Sequence, residues 1–297
     1  MRRLGDICGN ANVLYNEPMK KHTSFRVGGN AKAFVTPENT DAFKELIKYL
    51  RVSGIDFFVI GNGSNLLVSD KGYDGVIIST QKMVSVSVKE NEITALCGVS
   101  LSKLSAVATE NSLTGLEFAS GIPGSVGGGI VMNAGAYDGE LGFVVKNVEY
   151  CDENGDLFTV SGDDAGFSYR HSLFSDKKLY VMKVVFRLNK GNKKEISDKV
   201  AELNERRRDK QPINFPSAGS VFKRPEGHYA GRLIEECGLK GKSIGGAQVS
   251  EKHCGFIVNT GSASANKIYE LIQLCKKTVF EKQKVKLEPE IKFLGEF

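Results

Sequence analysis

The chain has 297 residues, enough for two domains or three small ones at about 100–200 residues per domain. It is 41% hydrophobic and 25% charged, a composition that excludes a disordered tail. Its net charge of +5 suits a small anionic ligand but is too weak for the basic stripe of a nucleic-acid-binding protein. No apolar run approaches the length of a membrane span, so no membrane association is predicted.

The first 75 residues have the pattern of a βαβ unit. A short strand is predicted over 31–36, and Asn39 or Thr40 can cap the helix that follows. Four apolar residues at helical spacing form one face of this helix: Phe43, Leu46, Ile47 and Leu50. Apolar strands are then predicted over 56–60 and 66–69.

The middle of the chain is predicted to be rich in strands. Strands are expected over 75–79, 84–88, 92–97, 144–151, 156–160 and 179–188, with a helix over 101–111. Asn154-Gly155 is a strong hairpin signal between two of these strands. The polar stretch 189–194 indicates a domain boundary. Beyond it, helices are expected over 195–208, 230–237 and 265–282, and extended segments over 244–249, 255–259 and 291–294. The sum of these elements predicts an α+β fold.

The six cysteines and four histidines are scattered along the chain. No two cysteines have the CxxC spacing, and no His–Cys cluster has the spacing of zinc ligands. The N-terminal segment has no apolar core of a signal peptide. We therefore expect reduced thiols, no metal and a cytoplasmic location.

Glycine is the most unusual residue, with 33 present against about 21 expected at average usage. The first cluster joins two predicted strands: Gly61, Asn62, Gly63, Ser64 and Asn65. Backbone N–H groups in such a loop can form a concave anion site. An ordinary turn is an equally good interpretation of this loop by itself.

The second glycine cluster runs from Gly121 to Gly129 and leads into 130–134. Glycines before a helix suit a diphosphate, because the open N–H groups and the helix dipole both attract anions. The alternative is close packing of a helix on a sheet. Two such loops favour a dinucleotide ligand, although neither fits the GxGxxG pattern of a Rossmann domain.

Four polar sites are candidates for chemistry, and each has an ordinary structural alternative. Arg170 can grip a carboxylate through two parallel hydrogen bonds, or form a surface ion pair. Ser220 can present its hydroxyl to a ligand, or bond to the nearby backbone. Glu290 begins a predicted terminal strand and, in the ordinary case, is solvated. Residues 206–208 form an arginine run that can simply offset a helix dipole.

Taken in order, seven segments closely resemble the UDP-N-acetylenolpyruvoylglucosamine reductase (MurB) family. They are Thr23–Gly29, Gly61–Asn65, Gly121–Tyr137, Tyr169-Arg170, Ala218–Lys223, Ile244–Asn259 and Leu287–Phe293. Seven ordered matches spanning nearly the whole chain are far more specific than a single glycine loop. The form of residues 169–174 is similar to that of the family's second type, which lacks an extra substrate loop.

The resemblance implies an FAD-binding lobe of the vanillyl-alcohol-oxidase (PCMH) class, made of two α+β subdomains, and a C-terminal α+β lobe for substrate. The implied divisions are 1–75 for the first subdomain, with the final strand 285–297 returning to it, 76–190 for the second subdomain, and 195–284 for the substrate-binding domain. A monomer is the simplest expectation for the assembly.

The resemblance also implies the activity. NADPH would reduce non-covalently bound FAD, which would reduce the enolpyruvyl ether of UDP-N-acetylglucosamine enolpyruvate to UDP-N-acetylmuramate for peptidoglycan. Arg170 and Glu290 would hold the developing charge, and Ser220 would deliver the proton. The implied FAD contacts are Gly61, Asn62, Gly63, Ser64, Asn65, Gly121, Pro123, Gly124, Ser125 and Val126, with Arg26, Asn133 and Ala134. The implied substrate contacts are Tyr169, Arg206, Lys223 and His253.

Two other functions remain open at this point. The first is another FAD-dependent oxidase or dehydrogenase of the same cofactor fold, which would not need residues 218–223 together with 289–293. The second is a non-catalytic flavin- or nucleotide-binding module, which could keep all three of Arg170, Ser220 and Glu290.

Overall fold

The computed structural model describes residues 2–297, which divide into two compact units. Unit 1 comprises the segment ending at Tyr15 together with Ala33–Asn62 and Gly75–Arg207. Unit 2 comprises Asn16–Lys32, Gly63–Asp74 and Arg208–Phe297. Each unit contains its own hydrophobic core. The three-part division expected from the sequence remains a prediction.

The described residues contain both helices and strands throughout, as the sequence predicts. The helices are α1 Arg2–Cys8, α2 Thr40–Val52, α3 Leu101–Glu110, α4 Val126–Val131, α5 Leu173–Asp176, α6 Lys193–Lys210, α7 Ala230–Glu236 and α8 Ala265–Gln283. The strands are β1 Val13–Pro18, β2 Asn30–Val35, β3 Phe57–Ile60, β4 Leu66–Val68, β5 Tyr73–Ser79, β6 Val86–Lys89, β7 Glu92–Leu96, β8 Leu113–Thr114, β9 Gly135–Ala136, β10 Gly139–Glu140, β11 Val145–Cys151, β12 Leu157–Ser161, β13 Tyr180–Arg187, β14 Asn189–Lys190, β15 Ser243–Ile244, β16 Ala247–Val249, β17 Ile257–Asn259 and β18 Lys292–Leu294. No helix within residues 2–297 has the length and apolar character needed to cross a membrane.

Helix α2 follows its sequence pattern closely. The side chain of Asn39 accepts a hydrogen bond of 2.9 Å from the Ala42 amide, which satisfies one of the free N–H groups at the helix start. The four residues of the predicted apolar face are all fully buried: Phe43, Leu46, Ile47 and Leu50. Burying each of these side chains contributes about 1.5–3 kcal/mol.

Unit 1 contains a five-stranded antiparallel sheet in the order β12–β11–β13–β7–β6. Strands β11 and β12 form the hairpin that Asn154-Gly155 predicts, and Gly155 has the positive φ of 80° that this turn requires. Strands β3 and β5 pair in parallel, with Ile60 opposite Ser79 at the carboxyl end of β3. The first glycine loop therefore begins where β3 ends.

Unit 2 contains the antiparallel sheet β15–β16–β17, against which α8 packs. Strand β18 near the C-terminus pairs in parallel with β4. The Asp70 carboxylate accepts hydrogen bonds from the amides of Ala265 (2.8 Å) and Asn266 (2.9 Å) at the start of α8. A negative charge here satisfies free N–H groups and complements the helix dipole.

Candidate functional site

The first two residues of the first glycine loop meet the second glycine loop inside unit 1. The Asn62 side-chain amide donates a hydrogen bond of 3.0 Å to the Pro123 carbonyl. A Cβ atom added to Gly61 would overlap the hydroxyl oxygen of Ser125. Glycine at position 61 therefore lets the backbone after β3 come into close contact with the second loop.

The first loop contains several backbone N–H groups that can donate hydrogen bonds to a ligand. Within residues 2–297, the N–H groups of Gly61, Asn62, Gly63 and Ser64 donate to no other backbone carbonyl. Gly63 has a φ of 60°, and a Cβ there would collide with the His22 carbonyl. The loop is thus held in a conformation that needs glycine, with several N–H groups available to an anionic ligand.

The second loop differs from its sequence-based prediction. Helix α4 begins at Val126, before the three glycines and not after them, and the Ser125 side chain caps it by accepting from the Gly128 amide at 3.4 Å. The amides of Val126 and Gly127 donate to the carbonyls of Val99 (2.7 Å) and Cys97 (2.8 Å). These first amides of α4 are therefore occupied by the protein and do not form an open anion site.

Close packing explains two of the three helical glycines. A Cβ on Gly127 would lie 2.8 Å from the Cys97 Cβ, and one on Gly129 would lie 2.7 Å from a Leu141 methyl carbon. Both distances are too short for real Cβ contacts. The alternative of close helix packing is thus the correct interpretation of Gly127 and Gly129.

Arg170 lies beside the segment that follows α4. Its guanidinium donates a hydrogen bond of 3.1 Å to the Gly135 carbonyl and also lies over the Tyr169 ring, 5.2 Å from its centre. The buried Asn133 side chain donates to the Ser168 carbonyl at 3.0 Å, and this bond fixes the chain just before Arg170. A φ of 55° at Arg170 is uncommon for a residue other than glycine.

Neighbouring arginines at the end of α6 differ in solvent exposure. Arg206 is exposed and lies 5.0 Å from the centre of the Tyr137 ring. Arg207 is half-buried beside Gly121, where a Cβ would come within 2.9 Å of the Arg207 Cδ, and burial lowers the pKa of Arg207. The sequence analysis named Arg206 as a substrate contact and did not name Arg207.

Ser220 and Glu290 come together in unit 2, although 70 positions separate them. Val221, which follows Ser220, accepts a hydrogen bond of 2.7 Å from the Glu290 amide. On its other side, Ser220 pairs with Phe256 in an antiparallel bridge. The side-chain amide of Asn65 donates to the Glu290 carbonyl at 3.1 Å. Ser220 and Glu290 are both half-buried.

The other predicted contacts have these surroundings. The Lys223 amide donates to the Glu288 carbonyl at 2.9 Å, and its ammonium lies 3.6 Å from the Glu288 carboxylate. Arg26 is exposed with a φ of 57°. His253 is half-buried and accepts a backbone hydrogen bond. Across residues 2–297, no group of three or more His, Cys, Asp or Glu side chains is arranged to hold a metal ion.

Two family models match the chain. Residues 31–161 match an FAD binding domain, and residues 211–294 match the C-terminal domain of UDP-N-acetylenolpyruvoylglucosamine reductase. A glucose oxidase variant of Phl p 4 superimposes on 64% of this chain and 44% of its own, with a TM-score of 0.51 and 15% identity, so it shares the fold. The chain is thus an FAD-binding protein of mixed α and β structure, which confirms the predicted fold class and cofactor.

Full-length relatives identify the family. The UDP-N-acetylenolpyruvoylglucosamine reductase of Caldanaerobacter subterraneus subsp. tengcongensis is 50% identical over 99% of this chain and 97% of the relative. The enzyme of the same name from Caldicellulosiruptor saccharolyticus is 49% identical over 97% and 94%. The crystal structure of MurB from Thermus caldophilus covers 95% of this chain and 98% of its own, at 34% identity and a TM-score of 0.81. The chain belongs to the UDP-N-acetylenolpyruvoylglucosamine reductase family, as the sequence resemblance predicts.

The residues present fit an FAD group. The first loop supplies backbone N–H groups without carbonyl partners, which suit the negative oxygens of a diphosphate. Glycine at positions 61 and 121 lets these loops pack closely against Ser125 and Arg207. In unit 1, Gly61, Asn62 and the loop over 121–125 are the candidates to hold this cofactor.

Proposed function

We propose that this protein uses NADPH to reduce the enolpyruvyl ether of UDP-N-acetylglucosamine enolpyruvate to UDP-N-acetylmuramate, with FAD as its cofactor. The observation that carries the proposal is the full-length match to reductases of this name. The pairing of the Ser220 and Glu290 segments in unit 2 supports it. When bound, FAD supplies the hydride that it receives from NADPH.

The chemistry requires two things of the protein. Hydride addition to the terminal carbon of the enol ether moves negative charge onto the neighbouring carbon and its carboxylate. This charge needs fixed donors more than it needs a strong base. The neighbouring carbon must then take a proton, which completes the reduction of the double bond.

Three residues have proposed roles in this step. Arg170 binds the substrate carboxylate through its guanidinium, which forms strong paired hydrogen bonds to such groups. Glu290 contributes as a neutral carboxyl that donates, since an ionised carboxylate would repel the developing charge. Ser220 donates its hydroxyl proton to the carbanionic carbon, which is basic enough to accept it, and solvent then restores that proton.

The binding contacts are also part of the proposal. FAD would contact Gly61–Asn65, and also Gly121, Pro123, Gly124, Ser125, Val126, Arg26, Asn133 and Ala134. The substrate would contact Tyr169, Arg206 and Lys223. We further propose that the protein is a monomer of the family's second type, that it acts in the cytoplasm, and that its product serves cell-wall synthesis and hence cell shape and division.

The two half-reactions test this function. In an anaerobic stopped-flow experiment, NADPH should bleach the flavin spectrum, and the UDP-enolpyruvyl-sugar should then restore it. Ser220→Ala should slow the second step by about 10²-fold or more and leave the first step unchanged. Ser217→Ala, three residues earlier, is the matched control and should affect neither step.

Each alternative has its own outcome. Bleaching by NADPH without recovery on addition of the sugar, but with recovery in oxygen, would favour an oxidase. The absence of both steps in a yellow protein would favour a binding module. Equal slowing of both steps in Ser220→Ala would contradict the role of Ser220 as a proton donor.

A further inference from the structure

The turn over 250–256 in unit 2 is held closed by its own hydrogen bonds. The Ser250 amide donates to the Phe256 carbonyl at 2.9 Å, and the Phe256 amide donates to the His253 carbonyl at 2.9 Å. Inside the turn, the Gly255 amide donates to Nδ1 of His253 at 3.1 Å. Because an amide N–H can only donate, Nδ1 is the acceptor and the ring proton of the neutral imidazole lies on Nε2.

The surroundings of the His253 ring keep it in this position. The ring contacts Phe256 edge to face, with 5.0 Å between ring centres. A Cβ on Gly255 would lie 2.9–3.0 Å from the imidazole, and one on Gly231 in α7 would lie 3.3 Å from it. Two glycines therefore make the space that the ring occupies. Burial lowers the pKa of His253, against smaller opposing effects of a hydrogen bond to its own backbone and of the Glu235 carboxylate.

A series of hydrogen bonds connects the His253 ring to the segment that carries Ser220. Gly255 donates to His253 through its amide and accepts from the Val221 amide at 2.9 Å through its carbonyl. Val221 in turn accepts from the Glu290 amide at 2.7 Å. This series of hydrogen bonds thus begins at the His253 ring, includes Val221, which follows Ser220, and ends at the Glu290 amide.

We propose that His253 is a positioning residue, whose Nδ1 acceptor fixes Gly255 and through it the backbone that carries Ser220. This role rests on the proposed function of Ser220 and differs from the direct substrate contact that the sequence analysis expected. A shift of about 1 Å in a proton donor can cost 10²-fold in rate. The imidazole therefore contributes to the proton-transfer step without touching the substrate.

Two amide variants separate this role from simple loss of the ring. In His253→Asn, the side-chain oxygen lies near the place of Nδ1 and can still accept from Gly255. In His253→Gln, the amide reaches the place of Nε2 and leaves the Gly255 amide without its acceptor. We expect substrate-driven flavin reoxidation within about threefold of wild type in the Asn variant and at least about tenfold slower in the Gln variant. Reduction by NADPH should be unchanged in both.

Hydrogen exchange supplies a readout that does not depend on activity. His253→Gln should speed amide exchange at Gly255 and Val221, and His253→Asn should not, while α8 stays protected in both variants. Gly255→Ala, which pushes on the ring, should reproduce the Gln pattern.

Three results would overturn the proposal. The first is equal rates of substrate-driven flavin reoxidation in the Asn and Gln variants. The second is unchanged amide exchange at Val221 in the Gln variant. The third is a higher KM with an unchanged kcat in the Gln variant, which would indicate direct substrate contact. If Ser220→Ala reoxidises normally, the function of Ser220 fails instead. Suppose that Ser220→Ala and His253→Gln both reoxidise normally while amide exchange at Val221 is faster in His253→Gln. His253 would then hold the backbone at Val221 in place, but the proposal that it assists proton transfer would be rejected.

Discussion

The Glu290 amide donates a hydrogen bond of 2.7 Å to the carbonyl oxygen of Val221, the residue that follows Ser220. This bond fixes the spacing between the two segments that carry the proposed proton donor and the proposed neutral carboxyl. It uses only backbone atoms, so side-chain substitutions at either residue can test the chemistry without removing the bond.

The first prediction concerns the charge state of Glu290. Because the role requires a hydrogen-bond donor, Glu290→Gln should keep substrate-driven reoxidation within about tenfold of wild type. Glu290→Ala should lose about 10²-fold or more, which is the typical cost of removing a donor to a developing negative charge. Glu281→Gln on α8 is the control. Equal losses in the Gln and Ala variants, measured by stopped flow, would contradict the neutral-donor role.

The helical glycines offer a matched pair of stability tests. Gly127→Ala should destabilise the protein by about 1–3 kcal/mol, because its Cβ would press on Cys97 at 2.8 Å. Gly128→Ala meets only the Ser125 hydroxyl at 3.5 Å and should stabilise by about 0.5–1 kcal/mol through helix propensity. Denaturant unfolding of the FAD-free protein measures both effects. A loss of similar size in the two variants would refute the packing explanation.

The cap that Asp70 forms on α8 should be worth measurable stability. Asp70→Ala removes two acceptors and a favourable charge, and should lower the free energy of unfolding by about 1–2 kcal/mol. Asp74→Ala, which breaks only an exposed ion pair with Lys32, should stay within about 0.5 kcal/mol of wild type. Similar effects of the two variants would exclude a capping role for Asp70.

The six thiols should be unreactive in the folded protein. All six cysteines are buried, and burial raises the pKa of Cys97, Cys151 and Cys275 to about 12 and that of Cys8 to about 11. At neutral pH, a thiol of pKa 12 is ionised in only about one molecule in 10⁵. Ellman's reagent should therefore label six thiols only after unfolding, and rapid labelling of the native protein would contradict this.

The lowered pKa of His253 predicts how the free energy of unfolding depends on pH. The folded state binds this proton less readily than the unfolded state, whose ordinary value is 6.5. The free energy of unfolding should therefore fall as the pH drops below about 6.5, and this contribution should level off below the folded-state pKa. His253→Asn should reduce this slope, measured by denaturant unfolding at a series of pH values. An unchanged slope in His253→Asn would show that other groups cause it.

The sequence is most informative where structure is local. The cap at Asn39 and the four buried residues of α2 follow from a helical period within 14 residues. The hairpin at Asn154-Gly155 follows from a turn that requires positive φ. The family resemblance adds the FAD-binding class and the candidate residues, because seven motifs occur in order along the chain.

Two features of the candidate site depend on the tertiary structure. The glycines at 127 and 129 serve packing inside α4, and the carbonyls of Cys97 and Val99 occupy the first amides of that helix. Arg207 is the half-buried arginine beside Gly121, whereas the neighbouring Arg206 is exposed. Neither fact has a local signature, because each depends on what lies against the helix.

By itself, the sequence determined the family, the cofactor class and the helices and strands with strong local patterns. The tertiary structure alone decided which distant backbone groups pair, such as Val221 with Glu290, and that the His253 ring serves as an acceptor for Gly255. The physical reason is that capping, periodicity and turn geometry act over a few residues. Hydrogen-bond pairing and burial across 30 or 70 positions depend instead on how the whole unit packs.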